Sequence, residues 1–479
     1  VTNNLCSQRD LYLERTDPQH PRRYLYDGRW EPARERVEEV AIKGQGTVRK
    51  TVSASRHGPI VDEVLPPAAR QTGPVSLRWM GATPCGWLTA LLGMNRSETT
   101  DDLRTAMRPW VCPTFSVVFA GVDGRFGYQC SGRIPVRARA ERGYRRGWDP
   151  ADAWQGLIPV DAMPAMRDPA RGFIATANNR PALADFPYPL SNTSPSGYRA
   201  RRIRQLIEEQ PVLTRADCQR LQYDVRLLRA TEALPALLRA LDGGGDERTR
   251  QARAWLHAWN GDMHKDSPAA AIFEVFFHRW LDRVIAERFS GERGTLAVGD
   301  PAAFVAGGVT GFATALLQSD PAGWFAAEAR EPAIRRAFAA ALAELTQRLG
   351  PDPAAWSWGR LHVLTLRHPL SGRGQLGELL DRGGEPVSGN GFTVGNTGYA
   401  PDYAATAGAN HRYVTDLADD PPVMWAIDAA GTSGHPGSPH YCDQFADWLR
   451  GQYHAIPLDS SNLRTSAAEL LVIGPRASA

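Results

Sequence analysis

Lysine is almost missing from this 479-residue chain: only Lys43, Lys50 and Lys265 occur, and arginine carries nearly all of the positive charge. The formal net charge is only +3, so bulk electrostatics selects neither nucleic acid nor an acidic membrane surface as partner. The arginine bias reads as a GC-rich coding preference. Cysteine is sparse as well. Cys6, Cys85, Cys112, Cys130, Cys218 and Cys442 are widely spaced, with no C-x-x-C pair. That argues against a zinc knuckle, a thioredoxin-like motif and a disulfide-dense scaffold. One or two disulfides stay open, with no pairing fixed by the sequence. Long apolar runs are lacking too. The longest uncharged stretch, Pro301 to Ser319, carries Gly307, Gly308 and Gly311; it is too weakly apolar to span a bilayer and reads as core or loop. No G-x-S-x-G elbow is present, so a serine–histidine triad built on His57, His362 or His440 has little support.

What is there suffices for a large core. The first third reads as β-rich. Val40 to Ile42 and Thr47 to Val52 form short strands around Gly44 and Gly46, and Phe115 to Ala120 is an apolar strand running to an Asp123-Gly124 hairpin signal. Trp87 to Met94 and Thr100 to Met107 read as helices, the second opened by Thr99 or Thr100 with Asp101 and Asp102 in its first turn. Near Tyr198 the pattern turns helical. Arg199 to Leu241, Ala252 to Trp259, Ala269 to Phe289 and Ala333 to Leu349 have apolar residues at helical spacing. After Trp356 the chain becomes β-like again, through Phe392-Thr393-Val394 and Val423 to Ile427. Strands, a helical block, then strands point to helices inserted into a sheet-built α+β domain: residues 1–197, 198–355 and 356–479.

The most specific run lies near the end: Ser433-Gly434-His435-Pro436-Gly437-Ser438-Pro439-His440-Tyr441, followed by Asp443-Gln444, Trp448, Gly451 and Tyr453. Two prolines and two glycines in nine residues fix an irregular loop. The run resembles the C-terminal hallmark of the penicillin acylase family, and matching segments occur in the family's order over essentially the whole chain. Among them are Ser55 to Val61, Trp356 to His362 and His368 to Leu370. The resemblance implies an N-terminal-nucleophile hydrolase with a four-layer αββα sandwich. It implies cleavage of an N-acyl amide bond through an acyl-enzyme, with no cofactor for the catalysis.

Residue roles follow from the same resemblance. In Phe173 to Pro181 a short apolar strand runs into Asn178-Asn179. By itself this is an Asx-type turn; the resemblance makes the Asn178 amide an oxyanion donor, a task suited to a neutral, fixed donor. The backbone N–H of Asn3 matches the second donor. Arg199 matches an arginine near the catalytic site, although it opens a run with Arg201, Arg202 and Arg204 that also reads as a solvated helix start. Leu5 and Phe115 match walls of an apolar acyl pocket; Phe115 also reads as a core aromatic. Asp10 matches a ligand of a structural calcium, with Ser7 and Asn192-Thr193 standing where acidic ligands are usual. It reads equally as an ordinary exposed carboxylate.

The family's nucleophile is a serine at the N-terminus of its β-subunit, whose own α-amine acts as base. Val1 matches a position some tens of residues beyond it. The expectation is therefore a stretch of an autoprocessed precursor, inactive by itself, which pairs with an α-subunit from the same precursor. The expected substrate is an N-acylated small molecule: a β-lactam, an acyl-homoserine lactone or a lipopeptide. By resemblance the location is periplasmic or secreted. The alternative is an inactive acyl-compound-binding protein on the same scaffold. Nucleic-acid binding through Arg137, Arg139, Arg142, Arg145 and Arg146 ranks third, because a solvated loop explains that stretch better.

Overall fold

The computed structural model describes residues 1–65, 73–139, 143–183, 185–191, 196–288, 311–326, 329–467 and 474. The chain divides into two compact units. One is Val1–Ala200 with Leu281–Ala313, and the other is Arg201–Trp280 with Thr314–Ala479.

In the first unit the strands are β1 (Thr2–Asn3), β2 (Arg9–Leu13), β3 (Arg23–Tyr26), β4 (Arg29–Pro32), β5 (Arg34–Ile42), β6 (Gly46–Ala54), β7 (Val75–Trp79), β8 (Phe115–Ala120), β9 (Phe126–Cys130), β10 (Arg145–Arg146) and β11 (Ala165–Arg167). They form a sheet in the order β1-β8-β9-β11, a second in the order β10-β2-β7, and the hairpins β3–β4 and β5–β6. The β5–β6 ladder runs longer than the sequence reading, because its nine-residue strands pair out to Arg34↔Ala54. Strand β8 has the expected bounds, and the chain reverses where Gly124 takes a positive φ of 81°. Helix α1 (Trp87–Met94) also has the expected bounds, and α2 (Thr100–Ala106) ends one residue early. Thr99 and Asp102 cap α2 reciprocally, which explains its start.

Strand β2 dictates much of this unit, because its buried side is polar. Gln8, Asp10, Tyr12 and Glu14 alternate inward, and each is satisfied. Gln8 donates to the carbonyls of Val111 (2.6 Å) and Arg133 (2.8 Å). The Tyr12 hydroxyl donates to Asp152 O at 3.2 Å. Glu14 accepts from the Ser55 and Ser76 hydroxyls, both at 2.6 Å, while burial pushes its carboxyl up. Asp10 accepts from Arg137 Nε at 2.7 Å and Trp154 Nε1 at 2.6 Å, and pairs with Arg145 Nε at 3.1 Å.

The described helices of the second unit include α3 (Tyr198–Glu208, which starts in the first unit), α4 (Arg215–Leu221), α5 (Leu228–Ala240), α6 (Glu247–Ala258), α7 (Pro268–Arg288, which ends in the first) and α8 (Arg330–Leu349). On α8 the buried residues Ala333, Ile334, Ala337, Phe338, Ala341, Leu342 and Leu345 form one apolar stripe. The strands are β12 (Val363–Leu366), β13 (Arg382–Pro386), β14 (Thr397–Tyr399), β15 (Ala405–Gly408), β16 (His411–Asp416), β17 (Val423–Asp428) and β18 (His454–Pro457). Their sheets run β13-β12-β15-β14 and β16-β17-β18. Two expectations change here. Residues 392–394 form a turn rather than a strand, where Asn390 Oδ1 accepts from Phe392 N and Thr393 Oγ1 from Asn390 N. Of the weakly apolar run, 311–318 are helical, and 301–310 lie outside the described residues.

The C-terminal hallmark is a packing device. Ser438 caps a single 3-10 turn, Tyr441 OH donates to Leu380 O at 2.6 Å, and Phe445 and Trp448 join a core with Val387, Ala405, Ile427 and Ala429.

Asp10→Ala strands two buried guanidinium groups, and loss of one partner from a buried ion pair costs ~3–5 kcal/mol. Urea unfolding should report a loss of that size; a change of under ~1 kcal/mol would show that the pairs carry no stability.

Candidate active site

Strand β1 lies antiparallel to β8, with Thr2 opposite Ser116 and Asn3 opposite Phe115. The Phe173–Thr176 segment was expected as a strand but makes no ladder. Its end is nevertheless sharply placed. Asn178 sits at φ +59°, a left-handed conformation that asparagine tolerates better than most residues. The Asx-type closure falls on its neighbour, since Asn179 Oδ1 accepts from Ala177 N at 3.0 Å. That leaves the Asn178 side chain to reach across.

Asn178 Nδ2 donates to the Asn3 carbonyl at 2.6 Å and to Thr2 Oγ1 at 3.1 Å. On its other side, Arg199 Nη2 donates to Asn178 Oδ1 at 2.7 Å. Arginine can only donate, so the amide oxygen must face Arg199 and the amide nitrogen must face β1. Two distant segments, β1 and α3, thus orient one neutral amide. Arg199 lies in the first turn of α3, and burial pulls its guanidinium below the ordinary value. It donates here to an amide oxygen rather than to a carboxylate, so a full positive charge stands beside Asn178. Thr2 is not among the residues the sequence nominated; only the folded backbone brings its hydroxyl to Asn178, and no local motif announces it.

The expected acyl-pocket residues sit close in sequence and register to these groups. Leu5 is 46% exposed. Phe115 is half-buried, edge-to-face with Trp110 at 5.5 Å, and packs against Met107, Val117 and Phe119. It is a core aromatic whatever else it does. A cavity of about 280 Å³ in the first unit is lined by Asp101, Arg104, Met107, Trp110 and Arg133 among others, and by none of the predicted site residues. A larger cavity of about 610 Å³ in the second unit is lined by residues between Val363 and Trp448.

Asp10 is neither exposed nor suited to calcium. Its oxygens face two arginines and an indole N–H, whereas calcium needs six to eight oxygen ligands. Asn192-Thr193 lie outside the described residues. The arginine stretch is corrected in the same way: Arg137 and Arg145 are 4% and 1% exposed on Asp10, and Arg139 and Arg146 pair with Asp152. Arg137 and Arg145 thus form an internal ion-pair network, while Arg139 and Arg146 reach the buried Asp152 from half-exposed positions; Arg142 lies outside the described residues. In the helix start, Arg201 and Arg202 pair with Glu232 and Asp224.

The three histidines have other partners. His57 stacks on Tyr12 at 3.9 Å, with Nε2 2.9 Å from Gly147 O. His362 lies between Tyr403 O (2.9 Å) and Thr397 Oγ1 (3.0 Å). His440 is exposed and pairs with Asp443 at 2.7 Å.

Residues 1–465 match the penicillin amidase family. The chain belongs to that family. Penicillin acylase 2 proenzyme of Pseudomonas sp. (strain SE83) is 31% identical over 460 residues, covering 94% of this chain and 57% of that protein. Acyl-homoserine lactone acylase QuiP of Pseudomonas aeruginosa is 29% identical over 511 residues, covering 97% of this chain and 59% of that protein. The chain therefore spans a little under three-fifths of the length of these relatives. Thermostable penicillin G acylase from Alcaligenes faecalis superposes with a TM-score of 0.70 at 16% identity, over 99% of this chain and 88% of that one. The fold is the α+β N-terminal-nucleophile hydrolase fold expected from the sequence.

Burial lowers the pKa of both His57 and His362 to about 4. Each is neutral when folded and titrates near 6.5 when unfolded, so protonation favours the unfolded chain. Stability should be level above pH ~6.5, fall as pH drops toward ~4 by up to ~3 kcal/mol per histidine, and level off below. Urea midpoints against pH test this, and His362→Asn should remove about one proton's share of the slope. An unchanged slope would overturn the assignment.

Proposed function

We propose that this chain belongs to an amidohydrolase that cleaves an N-acyl amide, R–CO–NH–R′, through an acyl-enzyme to give the carboxylic acid R–COOH and the free amine of R′. The observation that carries the reading is the Asn178 amide, fixed in orientation by Arg199 and aimed at strand β1. A tetrahedral intermediate concentrates charge on the former carbonyl oxygen, and pre-oriented donors in a dry site stabilise it without reorganising. Asn178 Nδ2–H and the Asn3 backbone N–H are the proposed pair. Arg199 fixes the amide's direction and adds positive potential from behind. The amide's longer contact, 3.1 Å to Thr2 Oγ1 against 2.6 Å to Asn3 O, is the one to exchange for the oxyanion, so Thr2 holds the donor in place until substrate arrives.

The attacking serine and its α-amine are assigned to polypeptide outside these 479 residues, in keeping with the relatives' greater length and with the word proenzyme in one relative's name. An α-subunit cut from the same precursor is the proposed partner. Leu5 and Phe115 favour an apolar acyl group. The relatives are named for penicillin and acyl-homoserine lactone, and an N-acyl lactone, β-lactam or lipopeptide is the proposed substrate class. A periplasmic or secreted location fits that chemistry.

Intact mass after rapid quenching with N-acyl substrates should show an acyl adduct on the processed polypeptide. Bound acyl compound without adduct or turnover would instead establish an inactive binder. In an active preparation, Asn178→Ala should lower kcat by about 10²–10³-fold, the usual cost of one oxyanion donor. Arg199→Lys should lower kcat with little change in KM, since lysine lacks the planar fork that sets the amide's direction. Unaltered kcat in Asn178→Ala would remove Asn178 from the mechanism.

A further inference from the structure

We propose that Cys6 and Cys130 form a disulfide bond, a covalent link between the segment after β1 and the end of β9. The six cysteines are all reduced in this structure, yet this pair is placed differently from the rest. Both are buried, 8% and 1% exposed, in one cluster with Tyr128, Ile134, Ile158, Met163 and Leu190. Their Sγ atoms lie 4.0 Å apart. Closing that gap to a bond of ~2.05 Å asks each sulfur to move roughly 1 Å, within the reach of side-chain torsions.

The polar partners favour the link. Asn4 Nδ2 donates to Cys130 Sγ at 3.2 Å, and Asn4 Oδ1 accepts from Cys6 N at 3.2 Å. A disulfide sulfur still accepts a hydrogen bond, so oxidation leaves the buried Asn4 amide paired. Among the described residues the Cys6 thiol has Cys130 as its one side-chain partner, so losing its proton strands nothing there. By contrast, Cys85 Sγ is held by the backbone of Val111 and Cys112, accepting from both N–H groups.

The chemistry is thiol–disulfide exchange. Cys130, as the thiolate, attacks a disulfide oxidant RS–SR and expels RS⁻. Cys6 then attacks the mixed disulfide at Cys130 and expels the second RS⁻. Two electrons pass to the oxidant, and the two protons of the cysteines end on two RSH. In the closed fold the Cys130 contact and burial push the Cys6 thiol up, so exchange belongs to folding or to local opening of the Asn4–Ser7 segment. Once formed, the bond ties sulfurs that are 124 positions apart and fixes the segment three residues beyond Asn3.

The test is a thiol map of the native polypeptide, folded with oxidised glutathione and no reductant, then denatured and alkylated. Four of the chain's six cysteines should take the label, with a peptide linking positions 6 and 130; all six should label after reduction. Free Cys6 or Cys130, or either one bonded elsewhere, would overturn the proposal. Cys6→Ser, Cys130→Ser and the double variant should all lose the same roughly 5–10 °C of unfolding midpoint and become insensitive to reductant. Additive losses would argue against a shared bond. Because the map reads sulfur and not turnover, it stands apart from the outcome of any acylase assay.

Discussion

One amide, held from both sides, ties the candidate site together. Asn178 joins strand β1, the segment after β11 and the first turn of α3 through hydrogen bonds of 2.6, 3.1 and 2.7 Å. The bond from Arg199 is charge-assisted and therefore the strongest class of the three. It also settles the direction of the amide, which an asparagine alone leaves ambiguous. The left-handed backbone at Asn178 is the cost of this reach. A β-branched residue here would meet that strain and supply no donor.

Beneath the site, the first unit is organised around polar burial. Strand β2 turns Gln8, Asp10, Tyr12 and Glu14 inward, and a row of this kind is stable only if every group is matched. The matches come from far along the chain: Arg137 and Arg145 for Asp10, Ser55 and Ser76 for Glu14. Such pairs contribute less net stability than their Coulomb attraction suggests, because desolvation offsets it. What they do supply is register. A one-residue slip of β2 would turn the row outward and bury Arg9 and Leu11 against those arginines.

How much of this was legible in the sequence follows from the range of the interactions. Phe115–Ala120 and Trp87–Met94 were readable to the residue because their apolar patterns lie within a few positions. The turn at 392–394 was misread as a strand: its apolar residues suggested a ladder, while local side-chain bonds from Asn390 and Thr393 closed it instead. The burial of Arg137 was invisible for a different reason. Its partner Asp10 is 127 positions away, and a charge run carries no mark of the carboxylate it will meet. Asn178 and Arg199 were nominated through family resemblance, whereas Thr2 needed the fold to bring it within reach of Asn178.

The pH behaviour of the fold separates from that of the chemistry. The groups gathered at the candidate site are an amide, a backbone strand, a hydroxyl and an arginine, none of which changes charge between pH ~4 and ~9. Even with its pKa lowered by burial, a guanidinium stays protonated throughout that range. The fold, however, buries two neutral imidazoles, His57 and His362, that favour unfolding once acid protonates them. Acid inactivation between pH ~6.5 and ~4 would therefore belong to stability and should track unfolding. Any pH dependence of turnover at constant fold must come from the nucleophile's own base, an α-amine titrating near pH ~8 in the proposed mechanism.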